Sequence, residues 1–180
     1  MSLSDREHVI LVVMTTVRPQ ILIALGSNIE AETNLPQAAR MLARLLEIVA
    51  LSAVYESPPV GSPESPPFLN AVIAVGSRLG PRSLKFGVLR DIESRLGRRR
   101  QRDRNAPRTI DLDLVLYGEC VETAHDLTLP DPDLSIQPHV AVPAAEVAGQ
   151  LAHPRTGLSL AESAATLESR LTERPDVKLL

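Results

Sequence analysis

The sequence of 180 residues has very few aromatic residues and a single cysteine. Tryptophan is absent, and the aromatic residues are Tyr55, Phe68, Phe86 and Tyr117. An RNA-binding sheet stacks bases on several aromatic side chains, so this scarcity disfavours one. The lone Cys120 excludes an intramolecular disulfide framework and fits a reducing compartment, so we expect a cytoplasmic protein.

The sequence also lacks a large charge excess and a long apolar run. Its formal net charge of −3 argues against a general nucleic-acid binder, which needs a widespread basic surface. The apolar segment HVILVVM (8–14) is far shorter than a membrane span, and the acidic residues before it do not suit a signal peptide. We predict no nucleic-acid partner and no membrane partner. We expect residues 1–19 to be an N-terminal extension, either a tag or a disordered arm.

The rest of the chain, residues 20–180, has the composition of one globular domain, with 44% hydrophobic and 23% charged residues. Its patterns predict strands over 20–25, 49–57, 68–77 and 109–118, and helices over 33–49 and 83–97. Thr33 or Asn34 is expected to cap the first helix. Shorter helices are expected towards the C-terminus. The order, βαββαβ with added C-terminal helices, predicts an α+β, ferredoxin-like core with an antiparallel sheet.

Two aspartates, Asp111 and Asp113, are separated by one leucine in the predicted fourth strand. Side chains alternate faces along a strand, so both carboxylates face one side, about 7 Å apart. Unpaired carboxylates in such a pair repel, and divalent cations remove the repulsion. Magnesium fits, because it takes oxygen ligands and shares them with phosphates. Alternating acids on an ordinary half-exposed strand are the alternative.

The loop before this strand is rich in arginine. Residues 98–108 contain six arginines and one aspartate, a local balance of +5. Guanidinium groups bind phosphate oxygens through paired hydrogen bonds and stay charged, although a solvated basic turn is also possible. Arginines for phosphates beside carboxylates for magnesium complement a nucleoside triphosphate. The sequence has no Walker or protein-kinase motif, so any ATP chemistry belongs to another class.

Seven short segments resemble the 6-hydroxymethyl-7,8-dihydropterin pyrophosphokinase family. They are ALGSN (24–28), YESPPVG (55–61), FLNAV (68–72), IESRLGRRR (92–100), PRTIDLDLVLYG (107–118), LTLP (127–130) and HPRTG (153–157). Each segment alone is weak evidence, whereas the seven segments in the family's order are specific to this family. The resemblance implies a ferredoxin-like core, in agreement with the predicted elements, and one pyrophosphokinase-like domain over residues 20–180.

The resemblance implies that pyrophosphate is transferred from ATP to the hydroxymethyl oxygen of a dihydropterin in folate biosynthesis, with release of AMP. It implies that Asp111 and Asp113 hold two Mg²⁺ ions and that Arg98 and Arg108 contact phosphates. The residues implied to bind ATP are Glu93, Arg100, Leu114 and Thr128. ATP is the expected co-substrate, no covalent intermediate is needed, and we expect a monomer.

The resemblance also implies a pterin site at Ser57, Pro58, Val60, Phe68, Asn70 and His139. A flat heterocycle needs an apolar or aromatic surface to stack on and fixed polar groups along its edge. Phe68 offers the surface, and the amide of Asn70 offers donors and an acceptor. Core packing is the alternative role for Phe68. An unpaired amide at Asn70 would cost free energy if it were buried.

The sequence departs from the family pattern in the arginine loop and after the fourth strand. Asn105 and Ala106 replace a tryptophan–glycine pair, of which the tryptophan helps to close the arginine loop over the ligands. Asp131 replaces a histidine near the nucleotide, Gln137 replaces an arginine, and His139 replaces a pterin-stacking phenylalanine. Asp131 beside a triphosphate is repulsive unless it contacts metal, ribose or solvent.

Two alternatives stay open. The chain could be a divergent relative with weak or redirected activity, because the departures fall on the loop and the ATP side. It could also be a noncatalytic ferredoxin-like module that binds a small molecule, and its ATP binding would then not depend on magnesium. The residues that favour an active enzyme are Arg98, Arg108, Asp111, Asp113, Phe68 and Asn70.

Overall fold

The computed structural model describes residues 20–59, 65–99 and 106–180. Its strands are β1 (Ile21–Ser27), β2 (Glu47–Leu51), β3 (Tyr55–Ser57), β4 (Phe68–Gly76), β5 (Asp111–Tyr117), β6 (Glu122–Thr123), β7 (Thr128–Leu129) and β8 (Thr172–Glu173). Its helices are α1 (Ala31–Leu45), α2 (Pro81–Ser83), α3 (Arg90–Arg95), α4 (Asp133–Ile136), α5 (Pro138–Ala148) and α6 (Leu160–Ala165). The predicted extension over 1–19 lies outside the described residues. So do the predicted site residues Val60 and Arg100 and the departure from the family pattern at Asn105.

The main sheet has six strands in the order β5-β1-β4-β3-β8, and β2 also pairs with β4. Each of these pairings is antiparallel, which confirms the prediction of a mixed fold with an antiparallel sheet. Strands β6 and β7 form a separate small sheet. The central strands β1 and β4 are buried along most of their length, because helices cover both faces of the sheet.

Two hydrophobic clusters lie on the two faces of the sheet. One joins the sheet to α1 and α3 through the buried residues Leu35, Leu42, Ile92 and Leu114. The other joins the sheet to α5 and α6 through the buried residues Val115, Val140, Ala144 and Leu160. Leu114 and Val115 are consecutive on β5 and therefore face opposite sides. Asp111 and Asp113 lie on the same face of β5 as Val115, which is the face that α5 covers.

The predicted second strand over 49–57 is divided in the structure. Strand β2 ends at Leu51, and β3 begins at Tyr55. Between them, the Ser52 N–H donates to the Val72 carbonyl of β4 at 3.0 Å, and the Val72 N–H donates to Ser52 Oγ at 2.9 Å. A side-chain oxygen thus takes the place of a backbone acceptor, and the strand is interrupted there.

The predicted helix over 83–97 is continuous from Pro81 to Arg95, but its middle is a π-helical segment, Leu84–Leu89, which joins α2 to α3. Its apolar stripe packs on the sheet as predicted, and Leu84, Leu89 and Ile92 are fully buried. Within the described part of the chain, no helix combines the length and the apolar character needed to cross a bilayer.

The C-terminal region adds α5 and α6, the expected extra helices. Ser159 begins α6 with a capping box, in which Ser159 Oγ accepts from the Glu162 N–H and the Glu162 carboxylate accepts from the Ser159 N–H. The sequence did not predict strand β8, which pairs with β3 and forms an edge of the main sheet. Val177 and Leu179 beyond β8 are buried in the core.

Candidate active site

Asp111 and Asp113 open into a cavity of about 270 Å³ on the α5 side of the sheet. Asp111 pairs with Gly26 of β1, and Gly26 pairs on its other side with Asn70 of β4, so one row crosses three strands. Asp113 pairs with Ala24 in the next row on the same face. The small residues at 24 and 26 leave an open floor between the two aspartates and Asn70.

Seven predicted site residues line this one cavity. They are Ser57, Phe68, Asn70, Arg108, Asp111, Asp113 and His139. These residues come from β3, β4, β5, the segment before β5 and the start of α5, so distant parts of the sequence meet there. Their meeting supports, without testing, the roles that the family resemblance implies.

Two arginines flank Asp111. The Arg108 guanidinium donates to Asp111 Oδ2, and Arg98 Nη2 lies 3.4 Å from Asp111 Oδ1. Asn28 holds the backbone of Arg108, because the Arg108 N–H donates to Asn28 Oδ1 at 2.7 Å and the Arg108 carbonyl accepts from the Asn28 N–H at 3.1 Å. The Arg108 guanidinium carbon also lies 5.5 Å from the centre of the Phe68 ring. Positive charge is therefore fixed beside the first aspartate.

Asp113 is an electrostatically strained carboxylate. Burial is the largest effect, and with the neighbouring Asp111 it raises the pKa of Asp113 from 3.8 to about 7, although Lys85 acts to lower it. The side chain keeps 46% of its surface exposed because it opens into the cavity, while protein surrounds its other sides. A divalent cation bound at this pair would stabilise the ionised form of Asp113 against both its burial and the repulsion from Asp111.

Lys85 is a site residue that the sequence did not reveal. Its Nζ lies 3.7 Å from Asp113 Oδ1, and its side chain is only 18% exposed. Lys85 belongs to the π-helical segment, next to the buried Leu84. A lysine beside the apolar stripe of an amphipathic helix has the pattern of a solvent-facing residue. Only the packing of this helix against β5 brings Lys85 to the carboxylate.

Asn70 and Phe68 form the opposite side of the cavity. The buried Asn70 donates from Nδ2 to Ser57 Oγ at 2.9 Å and lies 3.3 Å from the Tyr55 carbonyl oxygen and 3.4 Å from that of Phe68. Phe68 is half-buried and adjoins the cavity. A fixed amide beside an aromatic ring is the combination expected for a flat heterocycle. Pro58, which follows Ser57, is exposed and does not line the cavity.

A third side of the cavity is acidic. It is formed by Asp131, Asp133, Gln137 and His139, so the departures at 131, 137 and 139 all adjoin the cavity. The Asp133 N–H donates to Asp131 Oδ1 at 2.9 Å. Burial is the first cause that raises the pKa values of Asp131 and Asp133, and it lowers the pKa of His139. This side offers no arginine or lysine to a phosphate among its cavity-lining residues.

Three predicted ATP-binding residues do not line the cavity: Glu93, Leu114 and Thr128. Glu93 is buried behind β5, where its Oε1 accepts from the Leu112 N–H at 3.0 Å. Leu114 is fully buried in the cluster on the opposite face of the sheet. Thr128 lies on β7 and is half-buried. Their roles towards ATP stay predictions, as does that of Arg100. The role of Val60 towards the pterin also stays a prediction.

The donor set at Asp111 and Asp113 suits a metal that arrives with a phosphate ligand. Within residues 20–59, 65–99 and 106–180, no three Asp, Glu, His or Cys side chains come together closely enough to hold a metal ion. The two carboxylates supply oxygen ligands, which Mg²⁺ prefers. The other coordination positions would belong to phosphate oxygens and water.

Comparison with known proteins identifies the family. Residues 22–149 match the model of 7,8-dihydro-6-hydroxymethylpterin-pyrophosphokinase (HPPK). The chain is 36% identical over 137 residues to the 2-amino-4-hydroxy-6-hydroxymethyldihydropteridine pyrophosphokinase of Haemophilus influenzae, a match that covers 74% of this chain and 84% of that protein. It is 38% identical over 133 residues to the protein of that name in Bacillus subtilis, with 72% and 78% covered.

Some relatives are much longer. The chain is 36% identical over 143 residues to the folic acid synthesis protein fol1 of Pneumocystis carinii, but the match covers 78% of this chain and only 19% of that protein. Among solved structures, a Plasmodium falciparum HPPK-DHPS with pteroate superposes with a TM-score of 0.66 at 10% identity, over 82% of this chain and 44% of that one. That similarity supports the fold alone.

Proposed function

This chain belongs to the 7,8-dihydro-6-hydroxymethylpterin-pyrophosphokinase family, and we propose that it transfers pyrophosphate from ATP to 6-hydroxymethyl-7,8-dihydropterin in folate biosynthesis. The observation that carries the proposal is the shared cavity, in which Asp111 and Asp113 of β5, with Arg108 beside Asp111, lie on one side of β1 and Phe68 and Asn70 of β4 lie on the other. One side suits phosphates and the other suits a heterocycle, so both substrates have a place in one site.

The proposed reaction joins the hydroxymethyl oxygen of the pterin to the β-phosphorus of ATP. The bond between that phosphorus and the α–β bridging oxygen breaks, AMP leaves, and the hydroxyl proton is released. No covalent intermediate with the protein forms. The side chains of the cavity therefore act by orienting the two substrates and by opposing the phosphate charge.

Arg98 and Arg108 are proposed to hold the phosphates. A guanidinium carries five N–H donors, more than their contacts with Asp111 require. Within the described residues the buried Nε of Arg98 makes no hydrogen bond. A buried donor without a partner is unfavourable, and a phosphate oxygen would satisfy it.

Asp111 and Asp113 are proposed to hold two Mg²⁺ ions. Their common face, the raised pKa of Asp113 and the two-carboxylate donor set support this assignment. Bound magnesium would neutralise phosphate charge and polarise the phosphoryl oxygens. Asp113 must ionise to take that role, so it would bind metal more readily as the pH rises through about 7.

We also infer that the core is ferredoxin-like. The strand order β5-β1-β4 with β2 and β3 together as the outer strand supports this inference, because it matches a split βαβ arrangement. Strand β8 would then be an added edge strand. The monomeric state and the cytoplasmic location stay predictions from the sequence.

The acidic side of the cavity favours a second candidate, a pyrophosphokinase of weak or redirected activity. Asp131 and Asp133 bring negative charge to a cavity proposed to take a triphosphate, and Gln137 brings none of the positive charge of an arginine. Like charges raise the free energy of the bound nucleotide unless a cation or solvent separates them.

Product analysis tests the proposed function. We expect the purified protein with MgATP and 6-hydroxymethyl-7,8-dihydropterin to release AMP and pterin diphosphate in equal amounts. Omission of the pterin, or chelation of magnesium, should stop AMP formation. ADP in place of AMP, or no pterin-dependent AMP, would contradict the proposed reaction. ATP binding without magnesium dependence and without turnover would instead indicate a noncatalytic module.

A further inference from the structure

Strand β3 is a short element that supports the pterin side of the cavity. It has three residues, and it pairs with β4 through Tyr55–Asn70 and Ser57–Phe68. Its Ser57 accepts the hydrogen bond from Asn70 that fixes the amide. A three-residue strand has few backbone hydrogen bonds of its own, so its position depends on what lies along its other edge.

That other edge is covered by residues 172–180, which we call the C-terminal strap. Strand β8 of the strap pairs with Tyr55 and Glu56 of β3, and the Arg174 N–H donates to the Val54 carbonyl at 2.8 Å. The family match ends at residue 149, so the strap lies beyond the matched segment.

Arg174 joins the strap to two other elements by charge. Its guanidinium donates to Glu56 of β3 at 2.9 Å, to Glu32 of α1 at 2.6 Å and to Asp176 of the strap at 2.8 Å. The Arg174 side chain is 24% exposed, whereas Arg95, which forms a surface pair with Asp91, is 67% exposed. A network of several charges with one arginine holds its geometry better than an isolated surface pair.

The strap is also anchored in the core. Val177 and Leu179 are 8% and 5% exposed, and both belong to the hydrophobic cluster that contains Val54, the residue before β3. Burial of the two side chains holds the strap on the sheet, and Arg174 sets how Glu56 is placed. The apolar anchor and the charged contact thus have separable effects.

We propose that the C-terminal strap, through the Arg174–Glu56 contact, is a positioning element that holds β3 and Ser57 in place for pterin binding. The proposal rests on the proposed function, because it assigns the β3 side of the cavity to the pterin. Arg174 touches neither the cavity nor its phosphate side, so the ATP contacts do not depend on it. Loss of the contact should loosen β3 and weaken pterin binding selectively.

Matched substitutions of Arg174 and of two of its three carboxylate partners test this inference. Arg174→Gln and Glu56→Gln should each raise the KM for the dihydropterin about fivefold, because small displacements of a positioned group weaken binding, and leave the KM for ATP within about twofold. Glu32→Gln removes a partner of the same arginine on α1 and should leave both KM values unchanged. Arg82→Gln, at an arginine that also contacts two carboxylates, controls for loss of surface charge.

Hydrogen exchange supplies a second readout that needs no catalysis. The amides of Tyr55–Ser57 should exchange faster in Arg174→Gln and Glu56→Gln than in Glu32→Gln, while α1 exchanges as in the parent protein. Equal exchange in all three variants, or a KM for ATP that rises with that for the pterin, would overturn the proposal. If Arg174→Gln does not fold, Glu56→Gln decides the outcome. If the parent protein shows no pterin turnover, the proposed function fails, while hydrogen exchange still tests the strap.

Discussion

At the scale of single residues, Asp113 shows a conflict between stability and function. Burial and Asp111 raise its pKa from 3.8 to about 7, so the ionised form is less favourable in the folded chain than in the unfolded one. The stability that this group contributes is fully present below pH 3.8 and is lost as the pH rises through about 7. The metal-free protein therefore carries an unfavourable charge at neutral and alkaline pH.

Asp113→Asn should make the metal-free protein more stable at pH 8. We expect a gain of about 1 kcal/mol in the free energy of unfolding, a value reduced for solvent screening because the side chain is 46% exposed. The gain should disappear near pH 4, where the parent aspartate is protonated. Urea unfolding with a chelator at both pH values measures it.

Asp91→Asn is the control for this prediction. Asp91 is exposed on α3 and pairs with Arg95, so its loss should change stability by less than about 0.5 kcal/mol, with no increase at pH 8. A loss of stability in Asp113→Asn at pH 8 would contradict the electrostatic account of this site.

Asn70 should control the pterin and not the nucleotide. Its side chain contacts β3 through Ser57 and lines the part of the cavity that we propose for the pterin. We expect Asn70→Ala to raise the KM for the dihydropterin at least about tenfold, the loss for a buried hydrogen-bonding group, with little change in the KM for ATP. Steady-state kinetics with each substrate varied in turn measures both constants.

The double variant with Ser57→Ala completes that experiment. Since the two residues are hydrogen-bonded, their effects on pterin KM should not add. Full additivity, or an equal rise in the KM for ATP, would show that Asn70 does not act through this contact on the pterin side.

The sequence predicted the site residues that belong to recognisable local motifs. Asp111 and Asp113 stood out because alternation along a strand places both on one face, and the structure opens both to the cavity. Lys85 could not be found in this way. Its contact with Asp113 depends on how the π-helical segment packs on β5, and no local pattern encodes that packing.

At the scale of elements, the break between β2 and β3 was hidden from the sequence. The stretch over 49–57 contains no glycine or proline that would break it before Pro58, so it predicted one strand. The interruption depends on the buried pair of hydrogen bonds between Ser52 and Val72, which is a contact between two strands. A serine can serve equally in a strand or in a turn, and only the partner strand decides.

Ser52→Ala should destabilise the fold at this break. The substitution leaves the N–H of Val72, a fully buried residue, without its acceptor, which we expect to lower the free energy of unfolding by about 1–3 kcal/mol. Urea unfolding measures the loss. Ser77→Ala removes a comparable acceptor at an exposed position, for the Leu79 N–H, and should change stability by less than about 0.5 kcal/mol. Equal losses in the two variants would contradict this role of Ser52.

The start of α1 was also placed differently by the sequence. The predicted caps, Thr33 or Asn34, are wrong, because the helix already begins at Ala31, after Glu30 in a left-handed conformation with φ 45°. The side chain of Asn34 instead donates backwards to the Ile29 carbonyl at 2.7 Å. An asparagine within the first turn satisfies a loop carbonyl here, and local propensity alone favours the cap position instead.

At the scale of the whole molecule, the element order from β1 to β5 followed from hydrophobic periodicity and turn residues. The packing of helices on the second face of the sheet did not follow from these local patterns. Helices α5 and α6 cover that face, and the start of α5 at 138–140 completes the cavity. The C-terminal strap was missed because β8 has only two residues and its role arises from its long-range partners on β3 and α1.

The central claim is that arginines and aspartates form the phosphate side of one pyrophosphokinase site. The most direct measurement compares pterin-dependent AMP release from MgATP in the parent protein, Asp111→Asn, Asp113→Asn and the control Asp91→Asn. We expect both cavity variants to lose at least about 100-fold in turnover while they keep the circular dichroism of the parent, because each loses a proposed metal ligand. Asp91→Asn should retain parent activity. Unchanged AMP release in Asp111→Asn and Asp113→Asn would contradict the claim.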